Sequence, residues 1–384
     1  MKIVCSSTMP FVEEAFSTLG ETVVLEGREI TADDVRDAEL MAIRSTTKVN
    51  SKLLDGSPVR FIGTATIGTD HLDIPYMEDN NIHWCYSPGC NANSVAEYIT
   101  SALLWIAQKG QFRLRGKTLG VVGVGNVGSR VVSRGRTLGM QVLQNDPPRQ
   151  RCEPENESLF VSMDHLLEES DIVTMHVPLT RGGHDPTCQM AENEFMASMK
   201  PGAVFINAAR GPILNSTALL AAMDNGTVEH AIIDTWEGEP EYRTDLLDAI
   251  DIGTPHIAGY SFEGKVAGTM MVYEEACRFL GVEPSWNPEA SMPPPEVPVI
   301  DVDCRGKSFE EILWDIVRRV YDIRRDDADM RKKTCLEARR AEHFDSLRKG
   351  YHMRREFRYT SVTLKNAPEG LANTVAALGF QVAD

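Results

Sequence analysis

The stretch Leu119-Gly120-Val121-Val122-Gly123-Val124-Gly125-Asn126-Val127-Gly128, with Asp146 eighteen residues beyond its last glycine, constrains this chain more than any other segment. The apolar run Thr118 to Val122 predicts a buried parallel strand, and the glycines after it predict a tight turn into a helix. Gly123 permits the turn, Gly125 lets the backbone approach a pyrophosphate, and Gly128 lets the helix pack closely on the strand. Asn126 and Val127 complete the loop, and the helix N-terminus faces the phosphates. A second apolar strand, Met140 to Leu143, is closed by Asp146, whose carboxylate can accept from adenosine ribose hydroxyls and repel a 2'-phosphate. NAD is therefore expected over NADP, although Arg149 and Arg151 stand nearby. Glycine turns alone are common; the flanking strand, the helix and the spaced acid together specify a dinucleotide site.

A chain of 384 residues is long enough for two or three domains with sizeable cores. Its 39 Lys and Arg against 56 Asp and Glu give a net charge of −17, which argues against a surface that coats nucleic acid. The eight cysteines contain no CxxC pair and no metal-finger spacing, as expected for scattered reduced thiols. The N-terminal apolar run is too short for a signal peptide and no stretch approaches a membrane span, so a cytoplasmic setting is expected.

Short apolar runs alternate with helical stretches from Met1 to about residue 90, which predicts a parallel sheet. Ser94 to Lys109 has helical apolar spacing and is expected to bridge two domains. A second alternating series runs from Leu119 to Gly253, the doubly wound cofactor domain. Six prolines in the fifteen residues Pro284 to Pro298 predict a semi-rigid linker. Beyond it, Ser308 and Glu311 can form a capping box opening a helix with the apolar stripe Ile312, Leu313, Ile316, Val317 and Val320. From Arg318 to Arg358, fourteen basic residues face eight acidic ones, most simply a solvated face.

Three polar residues follow successive apolar runs of the second series, where open α/β sheets place their ligand crevice. Arg210, after Ala203 to Ala209, offers a guanidinium fork for a carboxylate. His256, in Thr254 to Tyr260, is the candidate acid/base that takes an alcohol's proton as hydride leaves. Glu239, before Pro240, would hold that imidazole and favour its protonated form. Taken singly, each has a plainer reading as a paired or solvated residue. His176 also ends an apolar run but is expected to shape the cofactor wall. His71, with Asp70 and Asp73, is expected to be a turn and helix cap, and no metal is predicted.

At these residues the chain resembles the D-2-hydroxyacid dehydrogenase family, whose pattern includes GxGxxG, a distant Asp, Arg-Gly after a strand, Glu-Pro and Pro-His. The resemblance spans nearly the whole chain through Ile43 to Asn50, Gly63 to His71, Ser87 to Ala92, Asp146 to Arg149, Asp234 to Pro240 and His256 to Tyr260. It continues into Phe344 to Tyr351 and Arg354 to Phe357 in the tail. It implies two doubly wound parallel-sheet α/β domains, a substrate (lid) domain of residues 1–95 with 258–283 and an NAD-binding Rossmann domain of 96–257. A linker, 284–298, and a C-terminal α+β dimerisation domain, 299–384, complete the expected homodimer.

The resemblance also implies substrate contacts at Ser45, Thr66 and Tyr260, and cofactor contacts at Asp146, Val177, Asp234 and Gly259. Its catalytic trio falls on Arg210, Glu239 and His256. Arg44 and Lys48 could add bonds to a substrate phosphate. The implied reaction is NAD-dependent oxidation of 4-phospho-D-erythronate at C2 to the 2-oxo acid, a step towards pyridoxal phosphate. The chain departs from the pattern at Ser6-Ser7-Thr8 and at Leu214-Asn215, where Asn215 can still cap the next helix. Two other readings remain: a dehydrogenase for another 2-hydroxy acid such as 3-phosphoglycerate, and a non-catalytic NAD-responsive binding protein.

Overall fold

The computed structural model describes residues 1–332 and 339–383, so Cys335 and positions 333–338 of the basic stretch lie outside the described residues. The chain divides into two compact units, Met1–Ala92 with Ser261–Pro294, and Asn93–Tyr260 with Pro295–Asp384.

The first unit is built on strands β1 (Lys2–Ser6), β2 (Glu21–Leu25), β3 (Leu40–Ile43), β4 (Phe61–Thr64) and β5 (His83–Tyr86). They pair in parallel in the order β2-β1-β3-β4-β5. The strands β3 and β4 are buried at every position, which is why β3 reads as an unbroken apolar run and β4 stays apolar up to the buried Thr64. The chain reverses its direction of travel across the sheet between β1 and β3, the topological switch point. The helix Phe262–Leu280 returns to this unit and seats Val272 and Tyr273 in its core. A Cβ at Gly63 on β4 would come 2.2 Å from Val272 Cγ1, so only glycine admits that helix.

The proline-rich segment is not a free linker over its first eleven residues. Trp286 is buried edge-on against Tyr273 at 5.6 Å, and the Tyr273 hydroxyl accepts from Ser285 N at 3.0 Å and Trp286 N at 3.2 Å. Proline density forbids helix, yet one tryptophan among the prolines supplies enough apolar area to dock the segment.

The second unit carries β6 (Thr118–Val122), β7 (Gln141–Asn145), β8 (Ile172–Met175), β9 (Ala203–Asn207), β10 (Val228–Ile233) and β11 (Ile252–Gly253). Their parallel order is β11-β10-β9-β8-β6-β7, with its switch point between β6 and β8. A third sheet, β12 (Val299–Asp303), β13 (Ser361–Lys365) and β14 (Gln381–Ala383), is also parallel, in sequence order.

The C-terminal segment clusters with the second unit instead of standing apart as its own body. Its helix Phe309–Val320 opens with the expected capping box, Ser308 Oγ accepting from Glu311 N at 3.3 Å and Glu311 Oε2 from Ser308 N at 2.6 Å. The apolar stripe finds its partner inside the same chain. Ile312, Leu313, Ile316 and Val317 share one core with Ile99, Leu103 and Ile106 of the helix Ala92–Gly110. That helix, expected to bridge two domains, therefore belongs to the second unit from Asn93 onward. Arg354, 2 % exposed, donates to Ser94 O at 2.6 Å and to Ala258 O at 2.9 Å, with its guanidinium 4.1 Å from the Tyr321 ring. A buried charge is tolerable only when it is bonded in this way.

Candidate active site

The glycine loop follows β6 at the switch point of the second unit, and each glycine meets its own constraint. Gly123 has φ 86°, a left-handed turn, and a Cβ there would lie 2.7 Å from Val177 N. The backbone of Val177 thus borders the loop. A Cβ at Gly128 would sit 1.9 Å from Gly123 O, which fixes the close helix packing. A Cβ at Gly125 meets no atom within 4 Å, so that residue is small for the sake of something outside the chain. The twelve-residue helix Asn126–Thr137 that follows has no side-chain cap. Open backbone and an uncapped helix start fit the diphosphate of a dinucleotide.

Asp146 comes immediately after β7 and caps the helix Pro147–Cys152, Oδ1 accepting from Arg149 N at 3.0 Å and Oδ2 from Val124 N at 2.8 Å. The acid is thereby locked to the glycine loop. Both nearby arginines already have partners. Arg149 Nε bonds Glu153 at 2.7 Å and its Nη1 bonds Val124 O at 2.6 Å, while Arg151 pairs with Asp185.

Arg210 follows β9 and Glu239 lies in the loop after β10. His256 follows β11, so three strand ends carry the trio, all within the second unit. Glu239 Oε1 and His256 Nδ1 are 2.6 Å apart, and Glu239 Oε2 accepts from Trp236 N at 3.1 Å. Burial works to raise the Glu239 pKa, but the His256 charge and hydrogen bond, the Trp236 N–H and the Arg348 charge together hold it below the usual carboxylate value. An ionised Glu239 makes Nδ1 the donor and leaves Nε2 as the ring's proton acceptor.

Asp234 builds the turn that presents His256. Its Oδ1 accepts from Thr254 Oγ1 at 2.6 Å and Ile257 N at 2.8 Å, its Oδ2 from Ala258 N at 3.1 Å, and its carbonyl from His256 N at 2.8 Å. His256 itself has φ 55°, an uncommon left-handed backbone for a non-glycine residue, and the Asp234 bonds hold it there. Gly259 and Tyr260 complete this turn, Tyr260 N donating to Ile257 O at 2.8 Å. Arg210 Nη1 bonds Ala209 O at 2.8 Å, and a Cβ at Gly211 would come 1.8 Å from Trp236 O, so glycine there lets the Arg210 loop abut the Glu239 loop.

In the first unit, Arg44 and Ser45 follow β3 and Thr66 follows β4. They stand at the carboxyl ends of adjacent strands beside that sheet's switch point. Arg44 Nη1 donates to Thr8 O at 3.4 Å, and the Thr66 hydroxyl is 2.8 Å from Thr64 Oγ1. Lys48 is exposed. His71 bonds Thr64 Oγ1 at 2.9 Å and Asp73 caps the helix Ile74–Asp79, as expected. Asn215 caps the helix Ser216–Asp224 through Thr217 N and Ala218 N, both at 3.0 Å. His176 is bonded to Thr174 Oγ1 at 2.9 Å, and burial lowers its pKa to about 3, so its ring stays neutral. The seven cysteines among the described residues form no disulfide.

A family model for the D-isomer specific 2-hydroxyacid dehydrogenase NAD binding domain matches residues 96–258. Erythronate-4-phosphate dehydrogenase of Escherichia coli O157:H7 is 42% identical over 99% of this chain and 98% of its own length. The chain belongs to the D-isomer-specific 2-hydroxyacid dehydrogenase family. The Shigella flexneri erythronate-4-phosphate dehydrogenase matches equally, 42% over the same shares. Among solved structures, Aquifex aeolicus D-lactate dehydrogenase with NAD and lactic acid is 26% identical with a TM-score of 0.60, covering 73% of this chain and 95% of that one. NAD-bound 3-phosphoglycerate dehydrogenase of Entamoeba histolytica is 25% identical with a TM-score of 0.63, covering 75% and 98%.

A second family model, a domain of unknown function (DUF3410), matches residues 292–379. This dehydrogenase is NAD-dependent, and no described helix is long and apolar enough to cross a membrane.

Sequence reasoning missed two residues that shape the site. Asp234 was visible only as a cofactor contact, since no local pattern announces which backbone a carboxylate will order. Arg348 lies in the tail segment Phe344 to Tyr351, where its i, i+4, i+8 spacing with Arg340 and Phe344 was the available signal.

Proposed function

We propose that this dehydrogenase oxidises 4-phospho-D-erythronate at C2 to 2-oxo-3-hydroxy-4-phosphobutanoate, in pyridoxal phosphate biosynthesis. The observation that carries the reading is the Glu239–His256 pair on adjoining strand ends, in a chain 42% identical over 99% of its length to erythronate-4-phosphate dehydrogenases. NAD, when bound, accepts hydride at its nicotinamide C4. His256 Nε2 takes the hydroxyl proton as C2 becomes a carbonyl, and Glu239 stabilises the imidazolium that forms. Arg210 grips the carboxylate with its planar fork. Ser45, Thr66, Arg44 and Tyr260 are assigned to the substrate, with Lys48 as a further cation for its phosphate. Gly123, Gly125, Asn126, Val127, Gly128 and Asp146 are assigned to the adenosine and diphosphate side of NAD, and Val177, Asp234 and Gly259 to its nicotinamide side.

The same reading makes the protein a cytoplasmic homodimer assembled through its C-terminal part, acting on a small phosphorylated hydroxy acid and not on nucleic acid or membranes. Sedimentation of the intact protein tests assembly, and a single species at the 42.6 kDa monomer mass counts against it. Purified protein with NAD should form NADH faster from 4-phosphoerythronate than from 3-phosphoglycerate. The opposite preference replaces the substrate, and no NADH from any 2-hydroxy acid removes the enzymatic reading.

A further inference from the structure

We infer that Arg348 is a positioning residue of the catalytic pair, fixing the Tyr260 ring and supplying the positive charge that faces Glu239. The inference rests on the roles assigned above to Glu239 and His256, and it gives the C-terminal segment a part in catalysis beyond assembly.

The geometry comes from one face of the helix Arg340–Lys349, on which Arg340, Phe344 and Arg348 follow each other at i, i+4 and i+8. Arg340 Nε donates to Glu241 Oε2 at 3.0 Å, and the fully buried Phe344 lies 5.9 Å from the Tyr242 ring. Both anchors grip the loop that holds Glu239. One turn further, the Arg348 guanidinium carbon lies 5.8 Å from the Tyr260 ring centroid and 5.8 Å from that of Phe344. The Tyr260 ring is in turn set edge-on against Tyr351 at 5.7 Å. A planar cation between two aromatic rings, at the end of a helix pinned twice, has little freedom to leave.

Glu239 faces His256 and Arg348, His256 also faces the buried Asp234 carboxylate that is common to wild type and variants, and Arg348 faces Tyr260, Glu239 and Asp345. Burial opposes the Arg348 charge, but Tyr260, Glu239 and Asp345 outweigh it, so the guanidinium stays protonated throughout the working range. Loss of that charge raises the proton affinity of the Glu239–His256 pair as a whole, because the protonated pair is no longer repelled. The form that accepts the alcohol's proton carries one proton fewer, so it becomes scarcer at low pH.

Full-length Arg348→Gln and Arg348→Lys are compared with the wild type in two measurements. In the first, the His256 ring signals are titrated by NMR without substrate. The pair's midpoint is expected to move up by about half to one pH unit in Arg348→Gln and to stay in place in Arg348→Lys. In the second, the acid limb of kcat/KM for 4-phosphoerythronate should follow the same shifts, with sedimentation unchanged. An unshifted Arg348→Gln midpoint overturns the inference, as does an Arg348→Lys midpoint shifted equally far. Failure of the wild type to make NADH would instead remove the functional reading, and the titration would still decide the role of Arg348.

Discussion

Glu239 Oε1 lies 2.6 Å from His256 Nδ1, a contact between residues seventeen apart that joins the loop after β10 to the turn after β11. Each partner has its own scaffold: Trp236 N–H fixes the second carboxylate oxygen, and Asp234 holds the left-handed backbone of His256. The pair is preorganised, so in the proposed reaction the imidazole needs no rearrangement before it accepts a proton.

Replacing His256 with Asn removes the proposed proton acceptor but keeps a polar side chain. Turnover should fall about a hundredfold to ten-thousandfold, with substrate affinity from direct binding largely kept. An unchanged kcat takes His256 out of the mechanism.

Glu239→Gln keeps the shape and removes the charge. Glu239 is ionised in the native protein because His256, Trp236 N–H and Arg348 overcome its burial. Without the negative charge the imidazole loses its proton more readily, so the acid limb of the pH–rate profile should move down while kcat drops at least roughly tenfold. An acid limb moving up contradicts this arrangement.

Arg210→Lys substitutes a point charge for a fork on a loop that Gly211 seats against Trp236 O. KM should rise and kcat fall, lowering kcat/KM by roughly ten- to a hundredfold. Steady-state kinetics equal to the wild type's would refute the carboxylate grip.

Two glycines of one loop should respond differently. Gly125→Ala meets no protein atom within 4 Å, so thermal stability should hold while NAD affinity falls at least about tenfold. Gly128→Ala drives a methyl to 1.9 Å from Gly123 O, so its melting temperature should drop without any ligand present. Calorimetry with and without NAD separates the two; equal losses of stability would show that Gly125 serves only the fold.

Glu97 makes stability depend on pH. Burial pushes its pKa up to about 8, Glu356 adding to the rise while Arg354, the Phe357 N–H and Arg134 counter it. A raised native pKa means a stabilising term that is whole below the unfolded value of 4.5 and disappears as pH climbs through about 8. Gln keeps an acceptor for Phe357 N and Asn93 Nδ2, both 3.0 Å from Glu97 Oε1, and cannot ionise. Denaturation of Glu97→Gln should therefore gain on the wild type between pH 4.5 and 8, by up to about 1.4 kcal/mol per pH unit. A constant difference across that range contradicts the assignment.

Much of the fold was legible because its signals are local. A strand, a turn glycine and a helix start are neighbours in sequence, so the run Thr118 to Gly128 specified its own conformation, and Leu40 to Ile43 showed itself as a short apolar strand whose central place only the sheet order reveals. Ser308 with Glu311, Asp73 and Asn215 named their caps for the same reason.

The proline-rich segment misled because rigidity was visible while the docking of Trp286 on Tyr273 was not. The C-terminal stripe was plainly in need of a partner, but periodicity cannot say which surface will cover it. Sequence by itself determined the dinucleotide loop, the parallel strands and the residue types available for catalysis, since these follow from steric and hydrophobic rules acting over a few residues. Only the tertiary structure decided that Glu239 and His256 meet, that Asp234 orders the turn presenting His256, and that a helix from the far end of the chain sets Arg348 beside them. Such contacts depend on how distant segments pack, which no local pattern encodes.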